Sequence, residues 1–129
     1  MYLLDTNICI DFALGRGDRL RERVRRSYGQ GLSISVITLA ELRVGPKHPG
    51  ADPEDERRLD VLIGTLAVRP FDDRAAVAYG TLAREVGVKR KSFDRLIAAH
   101  ALSLDLALVT RNEDDFNDVP HLKVENWTL

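Results

Sequence analysis

Several things are scarce in this 129-residue chain, and each scarcity narrows the field. There is one cysteine, Cys9, so no internal disulfide can form and a reducing cytosol is the default compartment. No apolar run approaches the ~20 residues of a membrane span. The opening stretch MYLLDTNICIDFAL is broken by Asp5 and Asp11 and lacks the basic start of a signal peptide, so it reads as the start of the folded domain. Net charge is also nearly missing, at −1 from 19 basic and 20 acidic side chains. That balance excludes a protein that coats nucleic acid by bulk attraction, though not one with a local basic patch. Neither repeats nor low-complexity tracts nor a linker divide the chain, which predicts one domain over 1–129.

Some chemistries are absent too. His48, His100 and His121 are scattered, with no zinc-ligand spacing, and His100 reads as a structural histidine. No spacing suggests a Ser/His/Asp triad. Gly15–Gly17 lacks the preceding strand and the lysine of a phosphate loop. Cys9 reads as a small core residue, and Trp127 with Val124 as packing for a last strand.

What is present is an alternation of short β-like runs and longer helical ones. Hydrophobic content of 44% is enough for a core, and 30% charged residues solvate the surface. Strands are expected at 1–4, 32–35, 67–70, 106–109 and 122–125. Helices are expected at 6–14, 18–28, 36–44, 54–66, from Asp72 or Asp73 to about Val86, and 92–104 with Ser92 as N-cap. Residues 46–53 read as a loop, 87–91 as a basic turn and 114–118 as a polar loop or short helical turn. This predicts an α/β fold, three layers deep, around a short and mostly parallel sheet. Ligands of such sheets bind beyond the carboxyl ends of the strands.

Carboxylates cluster at positions that could meet there. Asp5 ends the first strand; its bland role is to cap the next helix. Glu41 lies four after Ile37 and three before Val44, on their apolar stripe. Asp94 precedes Ile97, Ala98 and Ala101 on one helix side, in the first turn where the helix dipole welcomes it. Thr110 to Asp115 leave the strand LALV. Three or four carboxylates brought together repel unless neutralised. Oxygen donors in that number suit Mg²⁺ or Mn²⁺, which can acidify water and shield a phosphodiester. That is the chemistry of a metal-dependent nuclease.

The segments LLDTNICI, ISVITLAELRVG, PFDDRAAVAYGTLAREVG, FDRLIAAHALSLDLALVT, RNEDDFNDV and LKVENW resemble, in that order, a PIN-domain ribonuclease. The resemblance is strongest to the VapC toxins of bacterial toxin–antitoxin pairs. It implies an endoribonuclease in the cytoplasm, using Mg²⁺ or Mn²⁺, with an RNA substrate (tRNA, rRNA or mRNA), a VapB-like antitoxin and a homodimeric state. By position it makes Asp5 and Asp94 the main metal-coordinating carboxylates, with Glu41 completing the cluster. It makes Thr6, Asn7 and Thr110 groups that hold carboxylates or the scissile phosphate. Many PIN domains place Asp two after the strand-end Thr; here that residue is Asn112, and Asp115 is expected as the fourth acid with Asn112 as its neutral partner. Where similar toxins carry glycine-containing turns, this chain has Val88–Lys89–Arg90–Lys91, a candidate phosphate-gripping edge. Six arginines in Arg16–Arg26 form a second basic block, suited to RNA or to an acidic stretch of a partner.

Two alternatives follow from the same residues. A haloacid-dehalogenase-type phosphatase also begins with a strand-end Asp, but needs a second Asp two residues on, where this chain has Asn7. A PIN-like module that binds without cutting has no need of the mutual repulsion of Asp5, Glu41 and Asp94.

Overall fold

The computed structural model describes residues 1–44 and 52–129. Most of the expected 46–53 loop, including His48, lies outside the described residues. Among the described residues five strands, β1 (Tyr2–Leu4), β2 (Leu32–Ser35), β3 (Ala67–Arg69), β4 (Ala107–Val109) and β5 (Val124–Glu125), make one sheet in the order β3-β2-β1-β4-β5. Every pairing is parallel, so the sheet goes beyond the mostly parallel expectation. Leu3 is in register with Ser33 on one side and Leu108 on the other, which makes β1 the central strand.

Among the described residues six α-helices connect the strands: α1 (Thr6–Ala13), α2 (Asp18–Ser27), α3 (Val36–Val44), α4 (Pro53–Ile63), α5 (Asp73–Val86) and α6 (Asp94–Leu104). Side chains alternate across a strand, and the core divides accordingly. Leu4 joins Ile8, Leu20, Val24, Leu59 and Leu62 beneath α1, α2 and α4. Leu3 joins Leu82, Ile97, Ala98 and Phe116 beneath α5 and α6. These are the two outer layers of an α/β/α sandwich. Cys9 is fully buried in the first core, and Trp127 packs there edge-on to Tyr2, with 4.9 Å between ring centroids.

Helix boundaries follow local chemistry. Asp52 and Asp72 accept from the backbone N–H groups of Glu54 and Ala75, capping α4 and α5. Helix α4 ends at Ile63, short of the expected Leu66, because Gly64 closes it by donating to the Asp60 carbonyl. Ser92 is not the N-cap of α6: the helix starts at Asp94, and the Ser92 hydroxyl instead accepts from the Asp94 N–H at 3.0 Å in a turn before it. The acidic loop forms one short 3₁₀ turn, Glu113–Phe116, anchored by buried Phe116. Among the described residues no helix is long and apolar enough to cross a membrane.

Candidate active site

All five strands point the same way, so the residues after them share one edge. The strand order reverses across β1, which neighbours both β2 and β4. Connections leaving β1 and β4 diverge there, opening the crevice where such sheets bind ligands. Asp5 follows β1 and Thr110 follows β4, so the crevice opens between them.

Asp5 is 6% exposed and carries two hydrogen bonds. Its Oδ1 accepts from the Thr6 N–H at 2.8 Å, and its Oδ2 accepts from the Thr110 hydroxyl at 2.8 Å. The expected capping contact is therefore present, and it uses only one of the two carboxylate oxygens. Thr110 Oγ1 in turn accepts from the Asn112 N–H at 3.1 Å, fastening the start of the acidic loop to Asp5. Thr6 Oγ1 donates to Glu41 Oε1 at 2.7 Å and lies 3.3 Å from the hydroxyl of buried Thr38. One threonine thus ties α3 to the end of β1.

Burial pushes the Asp5 carboxyl up from 3.8 to about 6, against the downward pull of Thr110 and Thr6; the charges of Asp94 and Glu41 add to the rise. Asp94 and Glu41 are half-buried, one on α6 and one on α3. The tertiary fold therefore gathers Asp5, Glu41 and Asp94 from three separate elements into one field. The Glu41 stripe is shorter than its spacing suggests, since Val44 is 74% exposed.

Asp115 stands differently. It is exposed on the 3₁₀ turn, and the carboxylates acting on Asp5 are Asp94 and Glu41. Arg111, Asn112, Glu113, Asp114, Asp115 and Asn126 line an open cleft of about 410 Å³ beyond Thr110. Asn7 is half-buried and takes no part in these hydrogen bonds. Lys89, from the basic turn, donates through Nζ to the Asp115 carbonyl at 3.1 Å, so this turn braces the acidic loop.

An all-oxygen set of acids, one of them buried and lifted by its neighbours, fits a hard divalent cation in chemistry and charge. Among the described residues the acids converge without closing into a ready cage of three His, Cys, Asp or Glu ligands.

Three supporting contacts escaped the sequence reading. Buried Asp11 pairs with Arg111 at 2.5 Å and Arg16 at 3.4 Å, holding Arg111 beside Thr110. Buried Arg95 forms a two-pronged pair with Asp118 at 2.8 and 2.7 Å and donates to the Val86 carbonyl at 3.3 Å. This joins α6 to the chain just past the acidic turn. Thr38 lies three before Glu41, a helical spacing that is its sole local signal. His100 is structural as expected: buried, its Nδ1 2.7 Å from Ser35 Oγ and its ring edge-on to Phe71.

Comparisons with known proteins agree with this geometry. The PIN domain family matches residues 2–122. Ribonuclease VapC2 of Rickettsia felis is 31% identical over 98% of each chain. The tRNA(fMet)-specific endonuclease VapC of Salmonella typhimurium is 32% identical, covering 98% of this chain and 97% of that one. The crystal structure of VapBC2 from Rickettsia felis, bound to a DNA fragment from their promoter, superposes with a TM-score of 0.86 at 30% identity and 98% coverage of both chains. With the buried strand-end Asp5, the Glu41 and Asp94 around it and these full-length matches, the chain belongs to the PIN-domain family, among the VapC ribonucleases.

Proposed function

We propose that the chain, working as one PIN domain over 1–129, is a divalent-metal-dependent endoribonuclease and the toxin of a VapBC-type pair. The observation that carries this is the field shared by Asp5, Glu41 and Asp94 at the carboxyl edge of the sheet. Asp5 and Asp94 are the residues that would hold Mg²⁺ or Mn²⁺, with Asp115 and neutral Asn112 at the rim. When bound, such an ion supplies positive charge to the phosphodiester and acidifies a nearby water.

The chain's own groups do the rest. Glu41, held by the Thr6 hydroxyl, offers a carboxylate oriented to take a proton from the attacking water. Thr110 orients Asp5 by donating to it and opposes the rise that burial causes, and its link to the Asn112 N–H keeps the rim beside the reacting phosphate. Arg111 and the Lys89–Lys91 turn place cations next to an otherwise acidic mouth. Relatives solved as toxin–antitoxin complexes support a VapB-like partner, and an antitoxin arginine entering the acids would be a strong, directional inhibitor. A cytoplasmic homodimer and a tRNA substrate belong to the same reading; the name of the Salmonella relative makes initiator tRNA the first substrate to test.

The test is cleavage of total tRNA by purified protein with Mg²⁺ or Mn²⁺. Asp94→Asn and Glu41→Gln should each lower the rate at least ~100-fold while circular dichroism stays native. Full cleavage by either variant, or cleavage unaffected by EDTA, would overturn the assignment. Tight RNA binding without cleavage would favour the binding module instead.

A further inference from the structure

Helix α2 turns Leu20, Val24 and Ser27 into the core and lays its arginines along the two flanks of that buried row. Arg19, Arg23 and Arg26, spaced four and three apart, share one flank; Arg21 and Arg25 share the other. The flanks face different surroundings. Arg21 and Arg25 border a depression with Phe12, Ala13 and Arg58. Arg19, Arg23 and Arg26 border one of about 180 Å³ with Asn126, Trp127 and a single acid, Glu22, so the depression keeps an excess of positive charge.

Asn126 also lines the cleft of Arg111, Asn112 and the acidic turn. Asn126 thus borders both depressions. That residue follows β5 directly, where the Thr110 N–H donates to the Glu125 carbonyl at 3.0 Å. The sheet register thus sets the chain just before Asn126 against Thr110, the residue that donates to Asp5.

The three arginines are not equivalent. Arg23 is fixed: it pairs with Glu125 at 3.2 Å and lies over the Trp127 ring at 5.0 Å, while the Trp127 indole N–H donates to the same Glu125 oxygen at 3.0 Å. Arg19 and Arg26 are exposed and enter no ion pair among the described residues. Their charges remain available to an external anion. Seven residues of helix span about 10 Å, which sets these cations along a line rather than at a point. A polyanion entering a mouth lined by Glu113, Asp114 and Asp115 is repelled there, and must be held by cations outside it.

We infer that Arg19 and Arg26, on either side of the fixed Arg23, form a track that grips the RNA backbone beside the scissile bond and leads it past Asn126 and Arg111 to Asp5. This rests on the ribonuclease reading and adds the surface that holds the substrate. The track reads phosphate charge; it does not read bases.

The experiment compares two charge-matched pairs, Arg19→Gln/Arg26→Gln and Arg21→Gln/Arg25→Gln, each in an Asp94→Asn background that stops cleavage. The probe is fluorescently labelled total tRNA, titrated between 50 and 200 mM salt, with circular dichroism confirming the fold. Loss of Arg19 and Arg26 should raise Kd about 10-fold or more near 0.1 M salt and flatten the log–log salt slope by about 1.4–1.8, the value for two lost phosphate contacts. The Arg21/Arg25 pair should raise Kd no more than about threefold, as a loss of distant charge does. Equal weakening by both pairs would reduce the effect to bulk charge and overturn the track. So would an unchanged Kd and slope for Arg19→Gln/Arg26→Gln. Loss of antitoxin capture by that pair, with RNA affinity intact, would assign the flank to a protein partner and overturn it as well. A parent protein with Asp94 intact that cleaves no tRNA overturns the ribonuclease reading and the track together; one that cleaves, with Kd indifferent to the pair, overturns the track alone.

Discussion

Replacing Asp5 with asparagine should stabilise the metal-free protein at neutral pH while destroying its activity. Burial and the neighbouring acids raise the Asp5 carboxyl from 3.8 to about 6. The folded state therefore keeps a proton that the unfolded chain has already released across that window. Stability falls as pH rises through it: the cost is absent below about pH 4 and complete above about pH 7. At 1.36 kcal/mol per pH unit, the full cost of ionising Asp5 in the fold is roughly 3 kcal/mol. Asparagine escapes it. However, Asp5 uses both oxygens, one for Thr6 and one for Thr110, and asparagine has a single acceptor. One lost hydrogen bond costs about 1 kcal/mol. The net gain at pH 7 is then about 2 kcal/mol, equivalent to roughly 6–10 °C in Tm for a domain of this size. Near pH 4 only the lost bond remains, so the variant should be less stable than the parent by about 1 kcal/mol. Urea unfolding of both proteins in EDTA from pH 4 to 8 measures this crossover. Adding Mn²⁺ should raise the parent's Tm more than the variant's, because the ion removes the repulsion that asparagine has already removed. An Asp5→Asn protein less stable than the parent at pH 7, or a difference that ignores pH, would refute the reasoning.

Other predictions concern the supports of the site. Asp118→Ala should cost more than Arg95→Met, about 3 kcal/mol against 1–2, because the first strands a buried guanidinium while the second leaves a carboxylate that water can solvate. Equal losses in urea unfolding would show that Arg95 is solvated by other means. The same pair holds Asp118 down at about 2, so this contribution should persist on acidification until pH falls below about 4. Burial lowers the His100 imidazole below 6.5, which favours the neutral ring in the fold. In an Asp5→Asn background, stability should therefore drop as pH falls below 6.5, and His100→Gln should remove that slope; an unchanged slope would locate it elsewhere.

Much of this protein was readable along the chain. Helix and strand periods placed all five strands and six helices, with errors at the ends. The Ser92 hydroxyl, for example, closes a turn instead of capping α6. Asp5, Glu41 and Asp94 stood out because each is a carboxylate set in an apolar context, and the fold does bring their charges together. Asp115 was singled out by resemblance alone, and its exposed place on the 3₁₀ turn sets it apart from the three.

By itself the sequence determined the alternation of elements, a cap at Asp72 or Asp73, the family, and the acids available for chemistry. These are local or pattern properties: backbone hydrogen bonding repeats with fixed periods, and a buried stripe must be apolar. Only the tertiary structure decided which charges meet. Thr110 reaches Asp5 across 105 residues, Arg111 reaches Asp11 across 100, and Arg23 reaches Glu125 across 102. Nothing in the local spacing of these residues encodes such pairs, because strand order and register set them. The packing of α2 likewise leaves one arginine flank sharing Asn126 with the acidic mouth and the other apart from it, which turns a charge sum of −1 into an oriented surface.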